Sequence, residues 1–174
     1  HDLVLWMCRD VFEAECVPQA WSEGLIFPLH KAGDRRDPGN YRGITLLSVI
    51  GKVFCSVLCA RLRTHCEANG VLVEEQCGFR PGRGTAEQQF SLTEVIRLRR
   101  SLKRRTVVCF IDVAKAYDTV YRDALWTRLH SAGVTGKMFR VVRALYEDVR
   151  SCVLVNDQRS DWFSVDVGVR QGCV

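Results

Sequence analysis

Hydrophobic and polar positions along the chain follow the two periods expected of helices and strands. Apolar spacing and helix-start signals predict helices over these segments: 2–16, 48–70, 85–105, 122–130 and 137–149. Shorter apolar or alternating runs predict strands over these: 24–30, 41–47, 107–112, 151–155 and 162–167. Together they predict an α+β fold in which helices pack on one side of a small, mostly antiparallel sheet.

Turn-forming and capping residues refine several of these elements. Pro28 lies in the first strand and cannot donate a ladder hydrogen bond, so this strand is predicted to lie at the sheet edge. Residues 31–40 are polar and basic, and they predict a hairpin with a positively charged tip. Thr85 and Gln88 have the spacing of a capping box, and residues 156–158 predict a turn between two strands.

The most informative segment is 107–118, where an apolar run leads into Asp112. A buried strand that ends in a carboxylate usually has a cation to face, and hard divalent cations prefer carboxylate oxygen. Enzymes that transfer nucleotides need such an acid, because they hold two metal ions beside a triphosphate and a 3′-hydroxyl. They also need a second acidic element, but the sequence contains no adjacent Asp-Asp pair. The segment therefore predicts one half of a metal site.

Composition indicates one globular domain or a piece of one. The chain has 174 residues, a net charge of +5 and 47% hydrophobic residues, a balance that permits a polyanionic partner without requiring one. Its nine cysteines form no CxxC pair, so we expect reduced core thiols in an intracellular protein of the nucleus or cytoplasm rather than a zinc site. No apolar run reaches the ~18 residues that cross a bilayer, so no membrane span is expected. Neither terminus resembles a natural end, and we expect a longer parent protein.

Short motifs occur in a fixed order along the chain. They are KAGD at 31–34, NYRGITLLS at 40–48, QCGFRPGRGT at 76–85, FIDVAKAYD at 110–118 and GVRQGC at 168–173. In this order they resemble the reverse transcriptase of non-LTR, LINE-type retrotransposons, from about residue 18 to the end. The resemblance implies an N-terminal helix and fingers region over 1–105. It also implies a partial palm over 106–174 that ends before a later hairpin with two further carboxylates.

The resemblance assigns roles to several residues. It implies that Asp112 is the first catalytic aspartate and binds two Mg²⁺ ions, or Mn²⁺, together with the backbone carbonyl of Val113. Tyr117 is implied to lie under the sugar of the incoming nucleotide and to disfavour a 2′-hydroxyl. Lys31 and Arg42 are implied to grip the triphosphate through charge-assisted bonds as the fingers close.

Further candidates come from the same motifs. Gln171 resembles the glutamine that faces the incoming nucleotide, and Gly43 stands where the family usually has proline. Arg80 and Arg83 lie in a loop rich in glycine, and they are candidates for template or primer phosphates. Asp118, the second acid of its motif, is expected to be a structural hydrogen-bonding residue rather than a metal ligand.

The implied function is that of a fragment of an RNA-directed DNA polymerase. Its partners would be an RNA template, a DNA primer and deoxynucleoside triphosphates. We expect the isolated fragment to be inactive, because a single side-chain carboxylate leaves two dications short of ligands. Two alternatives stay open: a catalytically silent nucleic-acid-binding module that uses the basic loops, and a decayed retroelement remnant.

Overall fold

The computed structural model of the chain describes residues 2–172. The helices are α1 (Asp2–Ala14), α2 (Gln19–Ser22), α3 (Val49–Ala68), α4 (Thr85–Ser101), α5 (Arg122–Ser131) and α6 (Gly136–Ala144), with one 3-10 turn at Pro38–Asn40. The strands are β1 (Glu23–His30), β2 (Tyr41–Leu46), β3 (Arg150–Val155), β4 (Gln158–Arg159) and β5 (Phe163–Ser164). These elements confirm the α+β class.

The described residues divide into two units. Unit 1 combines the residues up to Leu62 with those from Lys115 onward, and unit 2 comprises Arg63–Ala114. All strands of the described chain lie in unit 1, whereas unit 2 contains the end of α3, the loop after it and α4. In the described chain no helix has the length and apolar character to span a bilayer.

The sheet of unit 1 has the strand order β2-β1-β3-β4, and β5 also pairs with β3. β1 is antiparallel to β2 and parallel to β3, while β4 and β5 are antiparallel to β3. The predicted hairpin around residues 31–40 and the mostly antiparallel sheet are therefore confirmed. A turn forms at 156–157, with positive φ at both residues, but it joins β3 to β4, and Gln158, predicted to lie in the turn, belongs to β4.

The prediction that the first strand lies at the sheet edge was wrong, because β1 has a neighbour on each side. β3 pairs only with the first half of β1, from Glu23 to Ile26. Pro28 lies beyond that stretch and is opposite Gly43 of β2. The missing N–H of proline therefore removes no bond to β3, and an internal strand tolerates it at this position.

The predicted strand over 107–112 is also absent, because residues 104–113 form neither helix nor strand. The side chains are exposed, with 94% of Val107 and 88% of Ile111 accessible. An apolar run adopts a strand only when neighbouring strands satisfy its backbone N–H and C=O groups. No described strand does so here, so high β propensity alone does not form a strand.

Helix boundaries differ from the predictions for local reasons. α4 begins at Thr85 with Gly84 as its N-cap, and the Glu87 carboxylate accepts the Gly84 N–H at 2.9 Å. The predicted capping box was therefore displaced by one residue, and Glu87 takes the role assigned to Gln88. α3 ends at Ala68, two residues before the predicted end at Gly70, whose φ of +59° favours glycine.

The core of unit 1 lies between α1, α3 and α6. Its buried residues form one cluster: Val11, Trp21, Phe54, Leu58, Val141 and Leu145. Phe54 is 2% exposed, and its ring lies 5.3 Å from that of Trp21 at a tilted angle. This contact joins α3 to α2, the short helix immediately before β1, and so fixes the start of the central strand.

We expect Phe54→Ala to lower the free energy of unfolding by about 3–5 kcal/mol, because it removes a buried ring and leaves a cavity beside Trp21. Urea denaturation followed by tryptophan fluorescence measures the change. Val49→Ala on the same helix is the control, since Val49 is 76% exposed. Equal effects of the two substitutions would contradict this assignment of the core.

Candidate functional site

The turn that follows Ala114 (residues 115–120) and the segment that ends at Gly172 (residues 168–172) are hydrogen-bonded to each other within unit 1. The Val169 N–H donates to the Tyr117 carbonyl at 2.8 Å, and the Gly168 N–H donates to the Val120 carbonyl at 2.9 Å. Gly168 has φ of +84°, and a Cβ there would lie 2.8 Å from the Tyr117 carbonyl oxygen. Glycine is therefore required at this position for both reasons.

The same segment continues to β2. The Thr45 N–H donates to the Gln171 carbonyl at 3.0 Å. Gly172 has φ of +117°, and a Cβ there would lie 2.5 Å from the Thr45 carbonyl oxygen. Tyr117 and Gln171, two of the predicted nucleotide contacts, thus belong to one hydrogen-bonded framework.

A cavity of about 240 Å³ lies within this framework. Its lining includes Gly43 and Thr45 of β2, Asp118 and Gln171. Each of these residues is either a predicted site residue or the sequence neighbour of one, except Thr45. Of the predicted site residues in unit 1, Gln171 lines the cavity, and Tyr117 is next to Asp118 in its wall.

Arg42 and Lys31 are exposed and do not line this cavity. Successive side chains of a strand alternate, so Arg42 lies on the face of β2 opposite to Gly43 and Thr45. The Lys31 N–H donates to the Asn40 carbonyl at 2.9 Å and closes the loop between β1 and β2. Both cations thus lie on the β1–β2 hairpin, outside the cavity wall.

The loop between β1 and β2 is held by its own polar side chains. The Asp34 carboxylate accepts the Arg36 N–H at 2.9 Å, and the Asp37 carboxylate accepts the Gly39 N–H at 2.8 Å. The Tyr41 hydroxyl donates to a loop carbonyl at 2.9 Å. The basic tip is therefore an ordered turn rather than a loose connection.

Two arginines that are not among the predicted site residues, Arg122 and Arg170, line the cavity and hold the framework. Arg122, at the start of α5, donates from Nε to the Gly168 carbonyl at 3.0 Å and from Nη1 to the Tyr146 carbonyl at 3.2 Å. Arg170 is 8% exposed and donates from Nη1 to the Trp21 carbonyl at 2.6 Å. Both guanidinium groups stack on the Tyr146 ring, at 5.2 and 5.4 Å from its centre.

Burial of the Arg122 guanidinium beside Arg170 has an electrostatic cost. Desolvation lowers the pKa of Arg122, and the positive charge of Arg170 acts in the same direction, while Tyr146 and Asp166 oppose it. Neither Arg122 nor Arg170 forms a salt bridge within residues 2–172, so carbonyl oxygens and the aromatic ring stabilise the charges. The sequence feature that could have indicated this cluster is the position of Arg170, which directly precedes Gln171 in the motif at 168–173.

Asp112 and Val113 lie in unit 2, in the irregular segment 104–113, and both are exposed. Within residues 2–172 no group of three or more acidic, histidine or cysteine side chains is placed to hold a metal ion. One carboxylate and one backbone carbonyl are too few ligands for two dications that each take about six oxygens. Asp112 and Val113 therefore do not form a two-metal site by themselves.

Arg80 and Arg83 are engaged in ion pairs within unit 2. Arg80 binds both oxygens of Glu67, at 2.9 and 2.7 Å, and its side chain is only 7% exposed. Arg83 binds the carboxylate of Glu74 and donates to the Glu74 carbonyl at 2.6 Å. Hydrogen bonds from these arginines lower the pKa of Glu67 and of Glu74. The loop after α3 is thus tied to the end of that helix.

We expect Arg80→Gln to raise the pKa of Glu67 towards the ordinary value of a glutamate, because its main stabilising hydrogen bond is lost. An NMR titration of the Glu67 carboxyl carbon measures this. Since pairing lowers the pKa on folding, its contribution to stability is present above the ordinary pKa and is lost as the pH falls through the lowered one. Arg80→Gln should therefore weaken the acid dependence of stability.

The matched control for this titration is Arg97→Gln, which breaks the Glu94–Arg97 pair on the surface of α4. It should leave the Glu67 titration unchanged. Identical Glu67 midpoints in wild type and Arg80→Gln would show that the ion pair is not formed in solution.

Comparison with known proteins places the chain in a family. Residues 29–174 match the family model of the reverse transcriptase (RNA-dependent DNA polymerase). Because this match covers most of the chain, the protein belongs to the reverse transcriptase family, and the resemblance of its motifs is confirmed.

Relatives of the chain are polymerases of non-LTR retrotransposons. It is 32% identical over 158 residues to a probable RNA-directed DNA polymerase from transposon X-element of Drosophila melanogaster, covering 90% of this chain and 17% of the relative. It is 30% identical over 165 residues to that from transposon BS of the same organism, covering 94% and 18%. Identity is 26% to a Pol polyprotein from element R2 of Popillia japonica, covering 90% and 22%. The chain thus spans about a fifth of these relatives.

Proposed function

We propose that this chain is part of an RNA-directed DNA polymerase that extends a DNA 3′ end on an RNA template, encoded by a retrotransposon. The observation that carries the proposal is the family match over residues 29–174, which contains every motif found in the sequence. The proposed partners are an RNA template, a DNA primer and deoxynucleoside triphosphates. They are the chemical classes that a polymerase of this family requires.

We assign residues 1–105 to the N-terminal helix and fingers and residues 106–174 to part of the palm. The antiparallel β1–β2 hairpin with its ordered, basic tip supports the fingers assignment. Lys31 and Arg42 on this hairpin are proposed to bind the triphosphate. Arg42 faces away from the cavity in the present conformation, so this role requires the hairpin to close over the nucleotide.

Tyr117 and Gln171 are the proposed contacts to the sugar and base of the incoming nucleotide. Two observations support these contacts. The backbone at both residues belongs to one hydrogen-bonded framework. Gln171 and Asp118, the sequence neighbour of Tyr117, line the 240 Å³ cavity. Tyr117 is 39% exposed, which leaves part of its ring available to a ligand.

Asp112, with the backbone carbonyl of Val113, is proposed as one part of the site for divalent metal ions, with Mg²⁺ as the ion. We infer that the remaining carboxylates come from a later hairpin of the full polymerase, and that residues 107–112 become a strand when this hairpin pairs with them. The exposed apolar side chains of this segment support the inference, since they have the composition of a strand without its neighbours.

Arg80 and Arg83 remain proposed contacts to template or primer phosphates. Arg83 is the better candidate, because its side chain is 30% exposed against 7% for Arg80. Phosphate would have to replace Glu74 as the partner of this arginine. The alternative of a silent nucleic-acid-binding module would use the basic loops, and the ion pairs of Arg80 and Arg83 give it no support.

Primer extension tests the proposed function. The 174-residue chain should not extend a DNA primer on RNA, whereas a polypeptide continued to the length of the relatives should do so. In that polymerase Asp112→Asn should lower the rate by on the order of a hundredfold or more, through lost electrostatic stabilisation. Asp157→Asn, in the turn between β3 and β4, is the matched control. Full activity of Asp112→Asn would exclude the proposed role.

Sugar selection tests the role of Tyr117 separately. In the active polymerase, Tyr117→Ala should reduce the preference for deoxynucleotides over ribonucleotides by about tenfold, because the ring that would collide with a 2′-hydroxyl is gone. Single-nucleotide incorporation of each substrate measures the ratio. Tyr121→Ala is the control, since Tyr121 is exposed and its side chain makes no cap to α5. An unchanged ratio in Tyr117→Ala would remove this residue from the site.

A further inference from the structure

We propose that Arg122 is a positioning residue that fixes Gln171 relative to Tyr117 and thereby controls nucleotide selection. The inference rests on the proposed function of these two residues as nucleotide contacts. Arg122 lies at the start of α5 and lines the 240 Å³ cavity together with Gln171. Its contacts among the described residues are carbonyl oxygens and one aromatic ring. Its proposed effect passes through the backbone that it holds.

The first step is the contact between the turn and the segment that ends at Gly172. Two backbone hydrogen bonds join residues 117–120 to residues 168–169, at 2.8 and 2.9 Å. The Tyr117 carbonyl accepts one of these bonds from Val169. Two residues after Val169, the Gln171 carbonyl accepts a hydrogen bond from the Thr45 N–H. A shift of the segment therefore moves the backbone at Gln171 relative to Tyr117.

The second step is that the segment lies directly against the turn at Gly168. A Cβ at this position would lie 2.8 and 2.9 Å from two carbonyl oxygens, those of Tyr117 and Asp118. Glycine therefore allows this close contact, and movement of the segment away from the turn would break it. The hydrogen bond from Arg122 Nε to the Gly168 carbonyl, at 3.0 Å, opposes that movement.

The third step is that Arg122 is itself fixed. Nη1 donates to the Tyr146 carbonyl at 3.2 Å, and the guanidinium stacks on the Tyr146 ring. Its Nη2 is buried and has no protein partner among the described residues. A planar guanidinium can stack and donate to two carbonyls at once, whereas a lysine ammonium has no plane to stack. Arginine is therefore specifically suited to this position.

The direct test uses the full-length polymerase that carries this chain. Arg122→Gln should raise the KM for a deoxynucleotide about tenfold, by loss of a charge-assisted hydrogen bond, and should lower the deoxy-to-ribo preference, with kcat affected less. Arg122→Lys should give an intermediate result. Arg128→Gln, an exposed arginine on the same helix, should match wild type. Melting temperatures of all variants show whether each one folds.

Gly168→Ala provides a second variant that leaves Arg122 intact. Its Cβ pushes the segment away from the turn, so it should reproduce the loss of sugar selection. If Arg122→Gln and Gly168→Ala both fold and both keep the wild-type preference and KM, the positioning role is wrong. A fall in kcat alone, with selection unchanged, would likewise overturn it.

Hydrogen exchange on the 174-residue chain tests the mechanical link without any activity. Arg122→Gln should speed exchange of the Gly168 and Val169 amides about tenfold, while Arg128→Gln should not. Unchanged exchange would overturn the inference at its structural step. A wild-type polymerase without activity would overturn the proposed function, and the inference with it. An active polymerase with unaltered selection in Arg122→Gln would overturn the inference alone.

Discussion

Backbone pairing on both sides of β1 is the constraint on which unit 1 depends. β1 pairs with β2 from Leu25 to His30 and with β3 from Glu23 to Ile26. Gly24 lies where a Cβ would be 2.5 Å from the Thr45 side chain and 3.1 Å from that of Ser151, so a larger residue there would require the Thr45 side chain to move. This pairing fixes β2, and β2 in turn receives the segment that carries Gln171. The position of the Gln171 backbone therefore depends on the pairing of β1 with β2 at the centre of the sheet.

The chain uses its cations in two different ways. Arg80 and Arg83 lie in a motif loop, yet both bind glutamates of their own unit and stabilise the loop. Arg122 and Arg170 lack such partners in the described chain and instead bind backbone carbonyls around Tyr146. Charge in a motif is thus not sufficient to identify a ligand contact, because the partner of each cation decides what it can bind.

Local signals predicted much of the fold, since helical spacing, the basic hairpin and the turn at 156–157 depend on nearby residues. The predictions that were wrong concern features that depend on residues distant in the sequence. The position of Pro28 in an internal strand follows from where β3 stops pairing, which the sequence of β1 does not contain. Residues 107–112 have strand propensity but no neighbour in the described chain. The role of Arg122 follows from its contact with Gly168, a residue 46 positions away.

We propose that the segment carrying Asp112 becomes a strand only when the full polymerase supplies neighbouring strands for it. Amide hydrogen exchange of residues 107–112, compared between this chain and the full-length polymerase, tests it most directly. We expect unprotected amides in the chain and slower exchange, by on the order of a hundredfold or more, in the polymerase. Protection already present in the chain, or absent from an active polymerase, would contradict it.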